Sequence, residues 1–109
     1  MAEYEVLWTD TATHDLNGII EYIAEDRGAE TALSILDRLE LRADALFNMP
    51  NRGRIVPELQ DIGVFQYRQL SETPWRIIYR IRKEVVYVVA VIDGRRDFID
   101  LLLQRLIQI

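Results

Sequence analysis

The chain has 109 residues, half of them hydrophobic and 28% charged, which gives room for one domain with a packed core and excludes a disordered polypeptide. It has no cysteine, so a disulfide framework and a thiolate metal site are both excluded, in keeping with a reducing cytosol. The net charge of −5 is unevenly spread: residues 1–49 hold three arginines against eleven carboxylates, a net of −8, and residues 50–109 hold ten bases against seven acids, a net of +3. A local cationic surface on an acidic molecule suits an anionic partner, while the acidic total argues against a nonspecific coat for nucleic acid. The first residues show no basic stretch followed by an apolar one, so no secretory signal is expected. No apolar run approaches the ~20 residues of a membrane span. A cytoplasmic location follows as the expectation.

Glu3 to Trp8 alternates polar and apolar residues and reads as a short strand. From about Asp10 to Asp26, Ala12, Leu16, Ile19, Ile20 and Ile23 fall on one stripe of an amphipathic helix. Thr9, Asp10 or Thr11 caps it, and Asp15 stands where the helix dipole favours an acid. Gly18 lies inside this helix at a cost of roughly 1 kcal/mol against alanine, so a close packing contact is expected there. Arg27-Gly28 is a helix stop. A second helix follows from about Ala29 to Met49, with Ala32, Ile35, Leu36, Leu39, Ala43 and Leu46 inward and Pro50 ending it. Residues 51–63 read as a loop. Three strands come next, Val64–Leu70, Trp75–Arg82 and Val85–Ile92, joined by Ser71 to Pro74 and by a tight turn at Arg82-Lys83-Glu84. The last is almost continuously apolar, the mark of a central strand buried on both faces. A final helix runs from about Asp97 to Leu106. The whole, residues 1–109, reads as one α+β domain: an N-terminal strand and a two-helix hairpin packed on a twisted antiparallel sheet of about four strands, with a C-terminal helix.

Arginines dominate the chemistry. In Trp75–Arg82, Arg76, Ile78, Arg80 and Arg82 share one face and Trp75, Ile77, Tyr79 and Ile81 the other. Arg68 on the preceding strand is expected beside this set, with Arg95 and Arg96 leaving the central strand and Arg52 and Arg54 on the loop before the sheet. Two readings stand: a cationic concavity that grips an anion bidentately, or a solvated face whose arginines pair with Glu72, Glu84 or the acidic helices. His14 is the one histidine and sits apart from them, so a His-based acid/base pair or metal site is not expected. Neither a nucleophile-elbow serine nor a phosphate-binding glycine loop is present. Phe98, Ile99, Leu101, Leu102, Leu103, Leu106, Ile107 and Ile109 cover more than one face of the last helix, and Leu33 and Leu41 fall off the inner stripe of the second. That surplus fits either a protein interface or a deeply buried helix.

Leu46 to Pro50, Gly53-Arg54, Arg68 to Leu70, Trp75 to Ile81 and Val88 to Asp97, in this order, resemble the ParE/RelE toxin superfamily of bacterial type II toxin–antitoxin modules. The resemblance covers nearly the whole chain. It implies a growth-inhibiting toxin held silent by a cognate antitoxin encoded beside it, with no cofactor and no metal. ParE-like members poison DNA gyrase; the alternative, RelE-like, cleaves mRNA on the ribosome. Arg76 matches the superfamily's strand arginine, and Arg95 or Arg96 the one after the last strand. Tyr67 and Gln69 stand where one well-known form has lysines, and Phe98 where an acid/base group is expected. Phenylalanine transfers no proton and arginine is a weak base, so RNA cleavage is poorly equipped and the ParE-like branch is favoured. The resemblance thus implies Arg54, Arg68, Arg76, Arg95 and Arg96 as target-binding residues. Were the chain a ribonuclease, Arg76, Arg96 and Arg68 would be the catalytic set. Arg80, Phe98, Leu102 and Leu33 are the implied antitoxin contacts. A homodimer and a toxin–antitoxin hetero-oligomer both stay open.

Overall fold

The computed structural model describes residues 3–107, so Ile109 of the last helix's apolar set lies outside the described residues. The order is β1 (Glu5–Trp8), α1 (Asp10–Arg27), α2 (Ala29–Asp44), a 3-10 turn (Ala45–Phe47), β2 (Arg54–Ile55), α3 (Pro57–Gln60), β3 (Tyr67–Glu72), β4 (Trp75–Arg82), β5 (Val85–Asp93) and α4 (Phe98–Ile107). The α+β architecture is the expected one, with differences in the sheet. It has five strands in the order β1-β5-β4-β3-β2, and β1 runs parallel to β5. Both the two-residue β2 and the single turn of α3 lie in the segment read as loop. They are too short to carry a periodic signal.

The Thr9 side chain accepts a hydrogen bond from the Ala12 amide, so α1 starts on the cap the sequence suggested. Gly28, at φ 96°, turns the chain from α1 into α2. Helix α2 gives way to the 3-10 turn before Pro50 is reached, with Leu46 still on the buried stripe and Phe47 O accepting from Tyr4 N at 2.7 Å. The expected packing contact at Gly18 is absent: the residue is exposed, and a β-carbon there would meet nothing within 4 Å. Gly18→Ala is therefore expected to stabilise the fold by about 0.5–1 kcal/mol through helix propensity and the unfolded chain. Urea denaturation checks this, and a loss of stability would refute it.

One core lies between the helix hairpin and the sheet, with Leu16, Ile35 and Leu39 against Leu70, Ile77, Tyr79 and Val88. A second lies on the opposite face, with Val56 and Leu59 of the α3 region and Phe98 and Leu102 of α4 against Ile78, Val89 and Ala90. The strand β5 is buried on both faces as expected. Between Ile78↔Ala90 and Tyr79↔Val88 the register skips Val89, a bulge that turns both Val89 and Ala90 toward α4. Strand β3 begins three residues later than predicted and runs on to Glu72, because Ser71 and Glu72 still pair with Arg76 and Trp75.

Candidate functional site

The register of β3 with β4 decides where the arginines go. Tyr67 stands opposite Arg80, Arg68 opposite Tyr79 and Gln69 opposite Ile78. Tyr67, Gln69, Arg76, Ile78 and Arg80 therefore share the α4 face, and Arg68 and Tyr79 the helix-hairpin face. The sequence placed Arg68 beside Arg76; the fold puts it on the other side of the sheet.

There Arg68 belongs to a clamp. Its Nη1 donates to the Gly53 carbonyl at 2.7 Å, while the Gly53 amide donates to the Tyr79 hydroxyl at 2.9 Å. The same hydroxyl donates to the Pro50 carbonyl at 2.8 Å. Burial pushes the Tyr79 phenol above its ordinary pKa, so it remains a neutral donor. The clamp fixes residues 50–54 and hence the position from which Arg54 leaves the sheet edge. Tyr79 went unread as a functional element because an aromatic at an inward strand position looks like core.

On the α4 face both terminal nitrogens of Arg76 are engaged. Its Nη1 and Nη2 each reach one carboxylate oxygen of Glu58 at 2.9 Å, and Nη1 also donates to Gln69 Oε1 at 3.1 Å. The guanidinium lies 3.9 Å from the centroid of the Phe98 ring. Paired arginines were one of the two sequence readings, but the partner is Glu58 of α3, not Glu72 or Glu84. Glu72 is taken on the opposite face by Arg38 at 2.8 Å and Arg42 at 3.7 Å. Only tertiary structure brings Glu58 to Arg76, eighteen residues away.

The turn after β5 lies against this cluster, since a β-carbon at Gly94 would sit 3.0 Å from Arg76 Nε. From that turn Arg95 folds back on Asp93 at 2.8 Å, which holds the Asp93 carboxyl below its usual range. Arg96 is exposed, and among the described residues it forms no ion pair. Arg54 on β2 is likewise exposed and unpaired among them, close enough to Glu58 to lower its pKa. The fold thus gathers Arg54, Arg76, Arg95 and Arg96 at one end of the sheet, with Arg54 and Arg96 left to reach outward. Among the described residues no group of three or more His, Cys, Asp or Glu side chains is placed to hold a metal ion.

Of the implied antitoxin contacts, Leu33 is exposed and Arg80 half-buried, but Phe98 and Leu102 are core residues, 5% and 0% exposed. Placing those two on a docking surface is corrected by α4 itself, which turns them onto the sheet. Its surplus apolar surface falls on Leu103 and Ile107 instead. The sequence also missed Asp15 as a structural group. Its side chain is 3% exposed and accepts from Arg105 Nε at 2.8 Å and Nη2 at 2.7 Å, tying α1 to α4.

The Arg76 hydrogen bonds hold the Glu58 carboxyl below its ordinary pKa. A carboxyl that titrates lower folded than unfolded adds stability above its unfolded pKa, and that stability is lost as pH falls toward the folded value. Wild-type stability should therefore decline from the ordinary glutamate range downward, and Glu58→Gln should flatten that decline. Because Glu58 is a third exposed, the difference is about 1 kcal/mol at most. Chemical denaturation between about pH 6 and about pH 3, which brackets the ordinary glutamate value of about 4.3, checks it; parallel curves would contradict the pairing.

The model of the family described as ParE toxin of type II toxin-antitoxin system, parDE, matches residues 6–98. Toxin ParE3 of Caulobacter vibrioides is 29% identical over 92 residues, spanning 84% of this chain and 88% of that protein. Among solved structures, the chromosomal ParDE toxin–antitoxin system from P. aeruginosa superimposes with a TM-score of 0.69 at 20% identity, covering 84% of this chain and 96% of that one. A chain of the toxin–antitoxin complex RelBE2 from Mycobacterium tuberculosis superimposes with a TM-score of 0.55 at 20% identity, covering 85% and 93%. At these identities the two structures speak to the fold.

Proposed function

The chain belongs to the ParE toxin family of type II toxin–antitoxin systems, and on that premise we propose that it inhibits growth by poisoning DNA gyrase and is neutralised by a cognate antitoxin. One observation carries the choice of target. The strand arginine that would hold a scissile phosphate is clamped by Glu58 and Gln69 and stacked on Phe98. Of these neighbours only Glu58 is a titratable carboxyl, and its pairing with Arg76 holds it below its ordinary pKa, so among the described residues the cluster around Arg76 offers no carboxylic acid as a proton donor for RNA cleavage. A gyrase poison needs a binding surface and no such donor. Arg54 and Arg96 are the residues that reach the target, Arg95 lends charge beside them, and Arg76 and Arg68 hold the frame.

Expression from a tightly controlled promoter, followed by colony counts, tests this reading. Wild type should kill, co-expression of the neighbouring antitoxin should rescue, and Arg96→Ala should relieve killing far more than Arg38→Ala or Arg42→Ala, whose side chains pair with Glu72. Equal killing by all three variants would remove Arg96 from the mechanism. Ribosome-dependent cuts in cellular mRNA would move the assignment to the RelE-like alternative.

A further inference from the structure

The carboxylate of Glu58 stands inside an otherwise cationic end of the sheet. Arg76 grips it, and Arg54 is near enough to lower its pKa. Of the arginines gathered here, Arg95 pairs with Asp93, two residues away along its own turn. Arg76 is paired differently, with a carboxylate delivered by a separate element. Among the described residues Arg54 and Arg96 form no ion pair.

The Nη1–Nη2 edge of Arg76 is the fork that would grip a phosphate bidentately, and the two Glu58 oxygens occupy it at 2.9 Å each. The turn at Gly94 lies close against Nε, and the Phe98 ring covers one face of the guanidinium at 3.9 Å. The backbone that carries Glu58 is pinned. Its neighbours Val56 and Leu59 are 0% and 1% exposed in the core shared with α4, and the Val56 amide donates to the Tyr67 carbonyl at 3.0 Å. A phosphate that took the fork would therefore leave a carboxylate unpaired beside it, a juxtaposition of like charges that is costly.

We propose that Glu58 is a specificity-determining residue: it closes the β4 arginine to the phosphate backbone of nucleic acid and leaves Arg54 and Arg96 for separate carboxylates on a protein target. This rests on the reading of the cationic end as the surface that meets gyrase, and it names the chemistry met there, the enzyme's protein rather than its DNA. Nucleic acid is held by cations that neutralise successive phosphates, so a negative charge set among a few arginines weakens it at once. Carboxylates on a folded partner are discrete and need only match two separated arginines. A repulsive group between those two discriminates against the continuous polyanion. The net charge of −5 acts in the same direction.

Glu58→Gln tests this on the full chain, because glutamine keeps the length and an acceptor for Arg76 while the charge is removed. Binding of a fluorescently labelled single-stranded RNA oligomer is followed by anisotropy as salt rises from about 50 mM. Wild type should bind weakly. Glu58→Gln should bind about 10-fold tighter, with a salt slope steeper by about 0.7, the share of one further phosphate contact on a single strand. In Glu58→Gln/Arg76→Gln the gain should vanish, since the released fork receives the phosphate. A purely structural pair would lower the melting temperature on substitution and raise no affinity. Equal RNA affinity of wild type and Glu58→Gln would overturn the proposal, as would a gain that survives in the double variant and so belongs to net charge alone. Immobilised wild type should also retain gyrase without DNA; retention only when DNA is added would give the arginines to the backbone and overturn it too. Absence of gyrase-dependent plasmid cleavage by wild type removes the gyrase reading together with the protein target, whereas cleavage retained with equal RNA affinities removes the role of Glu58 alone.

Discussion

Replacing Gly53 with alanine should lower the stability of the fold by about 3 kcal/mol. Gly53 is buried, and a β-carbon on it would collide with the Gln69 carbonyl oxygen while lying 2.7 Å from the Tyr79 hydroxyl and 2.9 Å from its ring. The Gln69 carbonyl belongs to β3, opposite Arg54, so it moves only if the β2–β3 pairing gives way. Retreat of Tyr79 is equally constrained, because its hydroxyl holds Gly53 and Pro50 together. Overpacking of about 1–3 kcal/mol adds to the loss of one or two hydrogen bonds near 1 kcal/mol each. Thermal unfolding should show a melting temperature lower by ten degrees or more, on the order of 4 °C for each kcal/mol. A drop of under about 2 °C would mean that the clamp is not as tight as the geometry states.

Asp15→Ala should cost about 3 kcal/mol and loosen α4 first. The strand β1 stops at Trp8, opposite Val88, so the edge of β5 beyond that point has no strand beside it. Asp15, from the second turn of α1, takes over there: its Oδ2 accepts from the Val91 amide at 3.3 Å. The same carboxylate carries Arg105, so its loss leaves both an unpaired strand amide and an arginine without its carboxylate. Hydrogen exchange should accelerate through α4 and around Val91 before the rest of the sheet responds. Asp15→Asn, which keeps an acceptor and drops the charge, should fall between wild type and alanine. Protection in α4 unchanged in Asp15→Ala would show that apolar packing alone holds the helix.

Both predictions turn on groups that the sequence displayed without revealing their roles. Helix α1 was legible down to its cap because Thr9 and the stripe of Ala12, Leu16 and Ile23 are local signals. Strands β4 and β5 were legible because alternation and a continuous apolar run distinguish a half-exposed strand from a buried one. The parallel partnership of β1 with β5 was not, since Glu5 and Val85 meet across the length of the chain. The side of the sheet taken by Arg68 was missed although the alternation carried it: pairing Leu70 with Trp75 across the suggested turn, or Glu72 with Trp75 as found, sets Arg68 opposite Ile77 or Tyr79, which share the inward face. Glu58 sits in a segment read as loop, and its union with Arg76 is purely tertiary. The cationic end of the sheet was therefore visible as composition, whereas the division between engaged arginines and the outward pair Arg54 and Arg96 was not. Arg80 stood in the sequence as an antitoxin contact implied by the resemblance; its buried Nε without a hydrogen-bond partner among the described residues is something no linear pattern displays.

We propose that this chain poisons gyrase through the arginines at the Arg76 end of its sheet. The most direct measurement incubates purified protein with DNA gyrase, ATP and supercoiled plasmid, then denatures the enzyme and resolves the DNA. Cleaved plasmid should accumulate only when both proteins are present, and should vanish with Arg96→Ala while Arg38→Ala retains it. Normal supercoiling, with no cleaved plasmid at any toxin concentration, would contradict the account and turn attention to mRNA on the ribosome.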